Sequence, residues 1–487
     1  MKKVIAKFAN DHSLVTLSVV YLLTRLINLT KLPIFNDEAI YLDWGWKSLH
    51  TSAGLFYSLY DAKPPFLIWI FGIFESVVQS PLFMGRFVSV LTGLLTLIGI
   101  YKVSKIINCK RLAVLSSIFY IAIPLFAFFD RQALMEASVT AAGIWSLYFL
   151  LQILETKKTK YSVCLGIVIG IGIFIKLQAL VFLVPIILIL IYKKLFKPTI
   201  IPIIVVATIV LSPLLLQNAF WASFNSNSRF MLTLPELLGF PFTLWMKNFS
   251  TTIGVSFFHL TPFIFLSAIY GIYLFLKDKK GTLPIFFLIN IIFVLFLGRS
   301  LNPRYLTAFL ALAPVFAARA VLSFRKPLAF LIGGVSILLP VIITTLLIFS
   351  PLVYFNFLDR FTTYSQRDGY VTGWTSGYGI PETLAYLNNQ SENKQIIVGV
   401  RLDAGNPESA MFAYFNASKK VIPTYLDPRV LDKSILTLKC LNSPIPIYFV
   451  ARDGILNGLD KFFQEVKRFE KPGGKSYISI YTLKSCD

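Results

Sequence analysis

Apolar residues dominate this chain in long runs, separated by short polar clusters. Leu165–Ile175, Leu177–Tyr192 and Leu328–Tyr354 carry no charge at all. A helix needs ~20 mostly apolar residues to cross a bilayer. On that basis the pattern predicts spans near 13–30, 82–101, 112–129, 133–154, 161–175, 177–192, 198–220, 252–276, 282–298, 305–324 and 327–350. Segment 64–79 is apolar but short and carries Glu75, so it is expected to lie at or dip into the interface.

After residue 351 the pattern changes. Gln395–Arg401, Val421–Tyr425, Ile447–Ala451 and Tyr477–Leu483 read as short strands, and Pro381–Asn389, Pro407–Phe415 and Ile455–Phe469 as helices. Strands alternating with helices predict a small α/β domain. The expected architecture is an α-helical polytopic membrane domain, residues 1–350 with eleven spans, followed by a C-terminal α/β domain, residues 351–487, outside the membrane.

Composition agrees. The chain has 487 residues, 56% hydrophobic and 14% charged, where a soluble domain carries about 25% charged residues. The net charge of +22 raises two partners, nucleic acid and anionic membrane. Its placement favours the membrane. Lys102, Lys105, Lys110 and Arg111, then Lys157, Lys158 and Lys160, then Lys193, Lys194 and Lys197, then Lys277, Lys279 and Lys280 sit between apolar runs. Short loops rich in Lys and Arg stay cytoplasmic. With them inside, loops 31–81 and 221–251 and the C-terminal region all face the other side.

The basic N-terminus and the run Leu14–Leu29 resemble a secretory signal. No small-residue cleavage site follows, so an uncleaved anchor is expected. Cys440 and Cys486 share the tail, where a disulfide is open, and Cys109 and Cys164 are expected as free thiols.

The candidate chemistry lies on the outer side. Asp37 and Glu38 stand just past the first span, followed by Tyr41, Trp44 and Trp46. Charge so close to a bilayer is expensive unless it faces a cavity or is paired. Lys63 precedes Pro64 and Pro65, which start the next helix. Glu136 lies at the outer end of a span, with Arg131 before it. Lys176 splits two apolar runs, and Arg299, Arg304 and Tyr305 mark the mouth of a later span. Each has a plainer reading: a solvated carboxylate pair, a Glu–Arg pair, or cations anchored to headgroups.

Taken together, the set is several carboxylates and several cations on one leaflet's side, with no nucleotide-binding loop. A carboxylate there can act as general base towards an acceptor hydroxyl or amine, while cations stabilise a phosphate leaving group. A transporter of lipid-linked sugars is the alternative, although paired repeats and midplane polar residues are not evident.

The motifs NDEAIY (36–41), YxxKPP (60–65), RxALMEA (131–137), IFIKLQA (173–179) and NPRYL (302–306) occur in this order, followed by DGYVTGWTSGYGI (368–380). Over about residues 13–380 the chain resembles the ArnT/protein O-mannosyltransferase group, glycosyltransferase family 39 of the GT-C superfamily. The resemblance implies an inverting transferase using a polyprenyl-phosphate sugar on the non-cytoplasmic side. It implies Asp37 as catalytic base with Glu38 beside it, and Tyr60, Lys63 and Tyr305 as contacts of the donor phosphate. Glu136 departs from the group, where Asp is usual. Arg304 joins the phosphate-binding set, and Arg131, Lys176 and Arg299 are candidate substrate contacts. The expected partners are a polyprenyl-phosphate-sugar donor, a lipid, protein or glycan acceptor and membrane lipids, with no nucleic acid. No strong metal-ligand set is visible, and a divalent ion is left open.

Overall fold

The computed structural model describes residues 12–52, 54–78, 80–107, 110–224, 230–362, 366–402, 405–426, 445–453 and 463–483. Its first two thirds are helical: α1 His12–Leu26, α2 Asn36–His50, α3 Phe66–Glu75, α4 Pro81–Ile107, α5 Lys110–Ala122, α6 Pro124–Phe129, α7 Glu136–Thr156, α8 Thr159–Ile175, α9 Leu183–Tyr192, α10 Phe196–Leu215, α11 Asn218–Phe224, α12 Leu234–Leu238, α13 Phe242–His259, α14 Pro262–Lys277, α15 Thr282–Leu297, α16 Pro303–Leu310, α17 Ala313–Val321, α18 Lys326–Phe349 and α19 Pro351–Leu358. Among the described residues, α4, α7, α10 and α18 are long and apolar enough to cross a membrane, or up to six spans if each bent pair counts as one. Only 28% of the apolar window of α10 and 39% of that of α18 is buried in the protein. Ile201, Ile204, Leu331 and Leu338 face outward, as lipid-facing side chains do.

Three expected spans are broken. Region 252–276 is not one helix: α13 and α14 meet at 115°. Thr261 at φ 75° with Pro262 behind it makes the bend, because proline cannot continue the helix and the residue before it avoids helical dihedrals. α16 and α17 bend by 54° within 305–324. Ile123, extended before Pro124, divides 112–129 into α5 and α6. Segment 64–79 contains only the ten-residue α3, too short to span. It crosses α2 where Gly45 and Gly72 meet backbone to backbone, and a Cβ on Gly72 would overlap the Gly45 carbonyl.

The tail contains α20 Ile380–Gln390, β1 Ile396–Val400, α21 Glu408–Phe415, β2 Val421–Tyr425, β3 Ile447–Arg452, β4 Phe463–Glu470 and β5 Tyr477–Leu483. The sheet order is β2-β1-β3-β5-β4. β1 runs parallel to β2 and β3, while β5 is antiparallel to β3 and β4. The helix expected over Ile455–Phe469 is absent where described: 463–470 is the edge strand β4, kinked by a bulge at Glu465/Lys467. Its side chains are nearly all exposed, so no apolar alternation marked it as a strand. Cys109, Cys440 and Cys486 lie outside the described residues, and Cys164 is a free thiol. α21 packs on α2, so the tail meets the helix that carries the first acidic motif.

Candidate active site

α2 starts at Asn36, after Phe35 in extended conformation. Successive helix residues point about 100° apart, so Asp37 and Glu38 cannot share a direction. Glu38 turns into the core and is fully buried. Its carboxylate accepts Arg86 Nε at 2.8 Å and Nη2 at 2.7 Å, Ala133 N–H at 2.6 Å and Phe35 N–H at 2.9 Å. Arg86 also donates to the carbonyls of Leu29 and Leu32, both at 2.8 Å. With every oxygen engaged, Glu38 is a framework residue, which corrects its grouping with Asp37 as catalytic.

Asp37 turns out of that core and pairs with Arg304 Nη1. The same guanidinium donates Nε to Glu136 Oε1 at 2.7 Å and Nη2 to the Tyr41 hydroxyl at 3.3 Å. Lys176 Nζ reaches the same Glu136 oxygen at 2.8 Å and lies 5.0 Å from the Tyr305 ring centroid. Lys63 Nζ lies 4.7 Å from the Phe230 ring and close enough to Asp37, Arg304 and Lys176 to feel their charges. Asp37, Lys63, Glu136, Lys176, Arg304 and Tyr305 thus come from α2, the loop before α3, α7, the break after α8, and α16. The turn to α16 is fixed by Asn302, whose side chain accepts Tyr305 N–H at 3.3 Å, with Pro303 opening the helix. Gln178 Nε2 donates to Tyr305 O at 2.9 Å.

Within this cluster Glu136 is 2% exposed and Asp37 29%, so Asp37 is the carboxylate that solvent or a substrate reaches. Burial pushes the Asp37 carboxyl up, but the charge and hydrogen bond of Arg304, helped by Asn36 and Lys63, outweigh it and hold it below the ordinary range. Burial, aided by Arg304 and Lys176, lowers Lys63 to about 8 against the pull of Asp61 and Asp37.

The remaining candidates lie elsewhere. Arg131 donates to the carbonyls of Thr24, Arg25, Ile27 and Asn28 at 2.7–3.2 Å and so caps the end of α1. Arg299 pairs with Glu236 at 2.8 Å on the surface. Tyr60 is 60% exposed and packs against Trp44 and Tyr57, each at 5.2 Å between centroids. Arg25 pairs with Asp130 at 3.3 Å, the structural pairing expected of arginines in spans. Sequence reasoning gave Tyr41 no role beyond that of an aromatic following the acidic pair, and missed Asn36. Tyr41 stands four residues after Asp37, the spacing that puts two side chains on one helix face. Among the described residues no three His, Cys, Asp or Glu gather as metal ligands.

Residues 62–216 match the family described as dolichyl-phosphate-mannose-protein mannosyltransferase. That segment holds Lys63, Glu136 and Lys176. No curated protein matches the chain in sequence. In fold it is similar to ArnT from Cupriavidus metallidurans in the apo state, at 14% identity and TM-score 0.62, covering 96% of this chain and 97% of that one. ArnT bound to undecaprenyl phosphate superimposes with TM-score 0.58 at the same identity and coverage. The archaeal oligosaccharyltransferase AglB from Archaeoglobus fulgidus, in complex with an inhibitory peptide and a dolichol-phosphate, gives TM-score 0.52 at 13% identity over 97% of this chain and 74% of that one. Residues 62–216 thus resemble that mannosyltransferase family, and the chain shares the fold of ArnT and AglB.

Proposed function

We propose that this chain is an inverting glycosyltransferase that moves a sugar from a polyprenyl-phosphate donor to an acceptor hydroxyl or amine at the outer face of a bacterial cytoplasmic membrane. The observation that carries this reading is Arg304, which bridges Asp37 and Glu136 with Lys176 and Lys63 around it. Similar folds carrying undecaprenyl phosphate and dolichol-phosphate support the donor class. In this reading residues 1–350 are the catalytic membrane domain with eleven spans, and residues 351–487 a domain on the outer side.

The acceptor oxygen or nitrogen attacks the anomeric carbon as the bond from that carbon to the phosphate oxygen breaks. The electron pair leaves with the polyprenyl phosphate, and the acceptor's proton passes to Asp37. Single displacement inverts the anomeric centre. Lys63 and Arg304 offset the charge that grows on the phosphate, and Glu136 with Lys176 holds the guanidinium in place. Before the donor arrives, Arg304 keeps Asp37 ionised but weakly basic. A phosphate that engages Arg304 competes with Asp37 for the guanidinium, and a carboxylate relieved of its cation is a stronger base.

The test supplies purified protein with labelled polyprenyl-phosphate sugars and an envelope fraction as acceptor. The expected result is label in the acceptor with inverted anomeric configuration by NMR. Intact lipid-linked sugar crossing a vesicle bilayer, with no label transferred, would replace this reading by the transporter alternative.

A further inference from the structure

The N-terminus of α2 is held from the other end of the chain. Asn36, 6% exposed, gives its backbone N–H to Thr375 O at 3.0 Å. Its side-chain oxygen accepts Asn406 N–H at 3.0 Å, and its amide donates to Asp37 Oδ1 at 3.3 Å. Asn406, 1% exposed, donates its side-chain amide to Ile34 O at 3.0 Å and to Thr375 O at 3.1 Å. The approach is close enough to demand glycine twice. Gly405 has φ 119°, and a Cβ there would overlap the Asn36 side chain; a Cβ on Gly377 would overlap the Ile34 backbone. Behind this contact Lys471 donates Nζ to the carbonyls of Gly373, Trp374 and Ser376 at 2.8–3.2 Å, fixing the turn that carries Thr375.

From this chain of contacts we infer that Asn406, in the C-terminal region, is a positioning residue for Asp37, acting through Asn36. The inference rests on the reading of Asp37 as the base. Three successive contacts support it. The Asn406 amide fixes the backbone immediately before α2. Its N–H fixes the rotamer of Asn36. The Asn36 amide then orients the Asp37 carboxylate and favours its charged form. Arg304 from α16 and Lys63 from the loop before α3 are the charged groups that face Asp37 from the other side. The carboxylate is therefore held between a cationic wall and an amide supplied through the tail. A base displaced by as little as 1 Å can lose about 100-fold in rate, so a contact made from the tail can set turnover.

The experiment compares full-length Asn406→Ala, Asn36→Ala, the double variant and Asp37→Asn with the unsubstituted protein, using a polyprenyl-phosphate sugar in detergent. Expected for either asparagine variant is a fall in kcat of about 10- to 100-fold with donor KM within about twofold. The double variant should fall no further than the worse single one, since two links of one relay are not additive. In Asn36→Ala the acid limb of kcat/KM moves to higher pH, because Asp37 loses a donor to its charged form. A purely structural role for the asparagines leaves that limb where it is. If Asn406→Ala does not accumulate as a monodisperse protein, Asn36→Ala carries the reading, since it removes the amide given to Asp37 and leaves Asn406 in place. Unchanged kcat and an unmoved acid limb in the Asn36 variants, with Asp37→Asn inactive, would overturn the positioning role alone. Retained turnover in Asp37→Asn would instead overturn the reading of the base on which it rests.

Discussion

Lys63 shows how one side chain ties local surroundings to chemistry. Burial lowers it to about 8, so it is charged below that pH and neutral above it. A neutral amine offers a phosphate no countercharge. kcat/KM for the donor should therefore fall as pH rises through about 8, and Lys63→Arg should remove that limb, because the guanidinium stays charged. An identical basic limb in Lys63→Arg, read from pH–rate profiles, would assign the titration to another group. The sequence offered Lys63, locked before two prolines, as a phosphate contact, with anchoring to headgroups as the plainer reading. Its neighbours were not legible there. Arg304 is 267 positions from Asp37 in sequence, and only tertiary packing brings them together. Adjacency also misled: Asp37 and Glu38 read as a pair, yet the helical turn sends one to Arg304 and the other to Arg86 in the core.

At the scale of elements, Glu38 and Arg86 join α2, α4 and the turn before α7. Both are fully buried, and the pair also ties down the chain between α1 and α2 through the carbonyls of Leu29 and Leu32. Removing one partner of a buried pair leaves an uncompensated charge and costs about 3–5 kcal/mol. Arg86→Ala should lower thermal stability in detergent sharply, whereas exposed Arg299→Ala, which breaks the half-exposed pair with Glu236, should change it little. Comparable losses in both would contradict the assignment of Glu38 to the framework. Hydrophobic runs marked where apolar helices lie, since apolarity is a local property, but among the described residues only four are long enough to span, or up to six with the bent pairs, against the eleven expected. They did not mark the breaks at Ile123 and Thr261, where a run stays apolar across a bend. They also did not mark β4, whose exposed side chains have no buried face to betray it.

For the whole molecule, the basic clusters, the apolar runs and the change of pattern near residue 351 were enough to separate a helical membrane region from an α/β tail. The chain shares its fold with ArnT over 96% of its length. What no pattern announced is that the tail reaches back to the start of α2 through Asn406 and Asn36, because the contact is made by backbone and two amides rather than by a motif. The account converges on Asp37 as the ionised group that takes the acceptor's proton. The most direct measurement pairs turnover with donor binding in full-length Asp37→Asn, whose side chain keeps the shape but not the charge. Turnover should fall by about 10²- to 10⁴-fold, the range of general-base catalysis, while donor affinity stays close to that of the unsubstituted protein. Turnover near the unsubstituted rate with a folded, donor-binding variant would contradict the account.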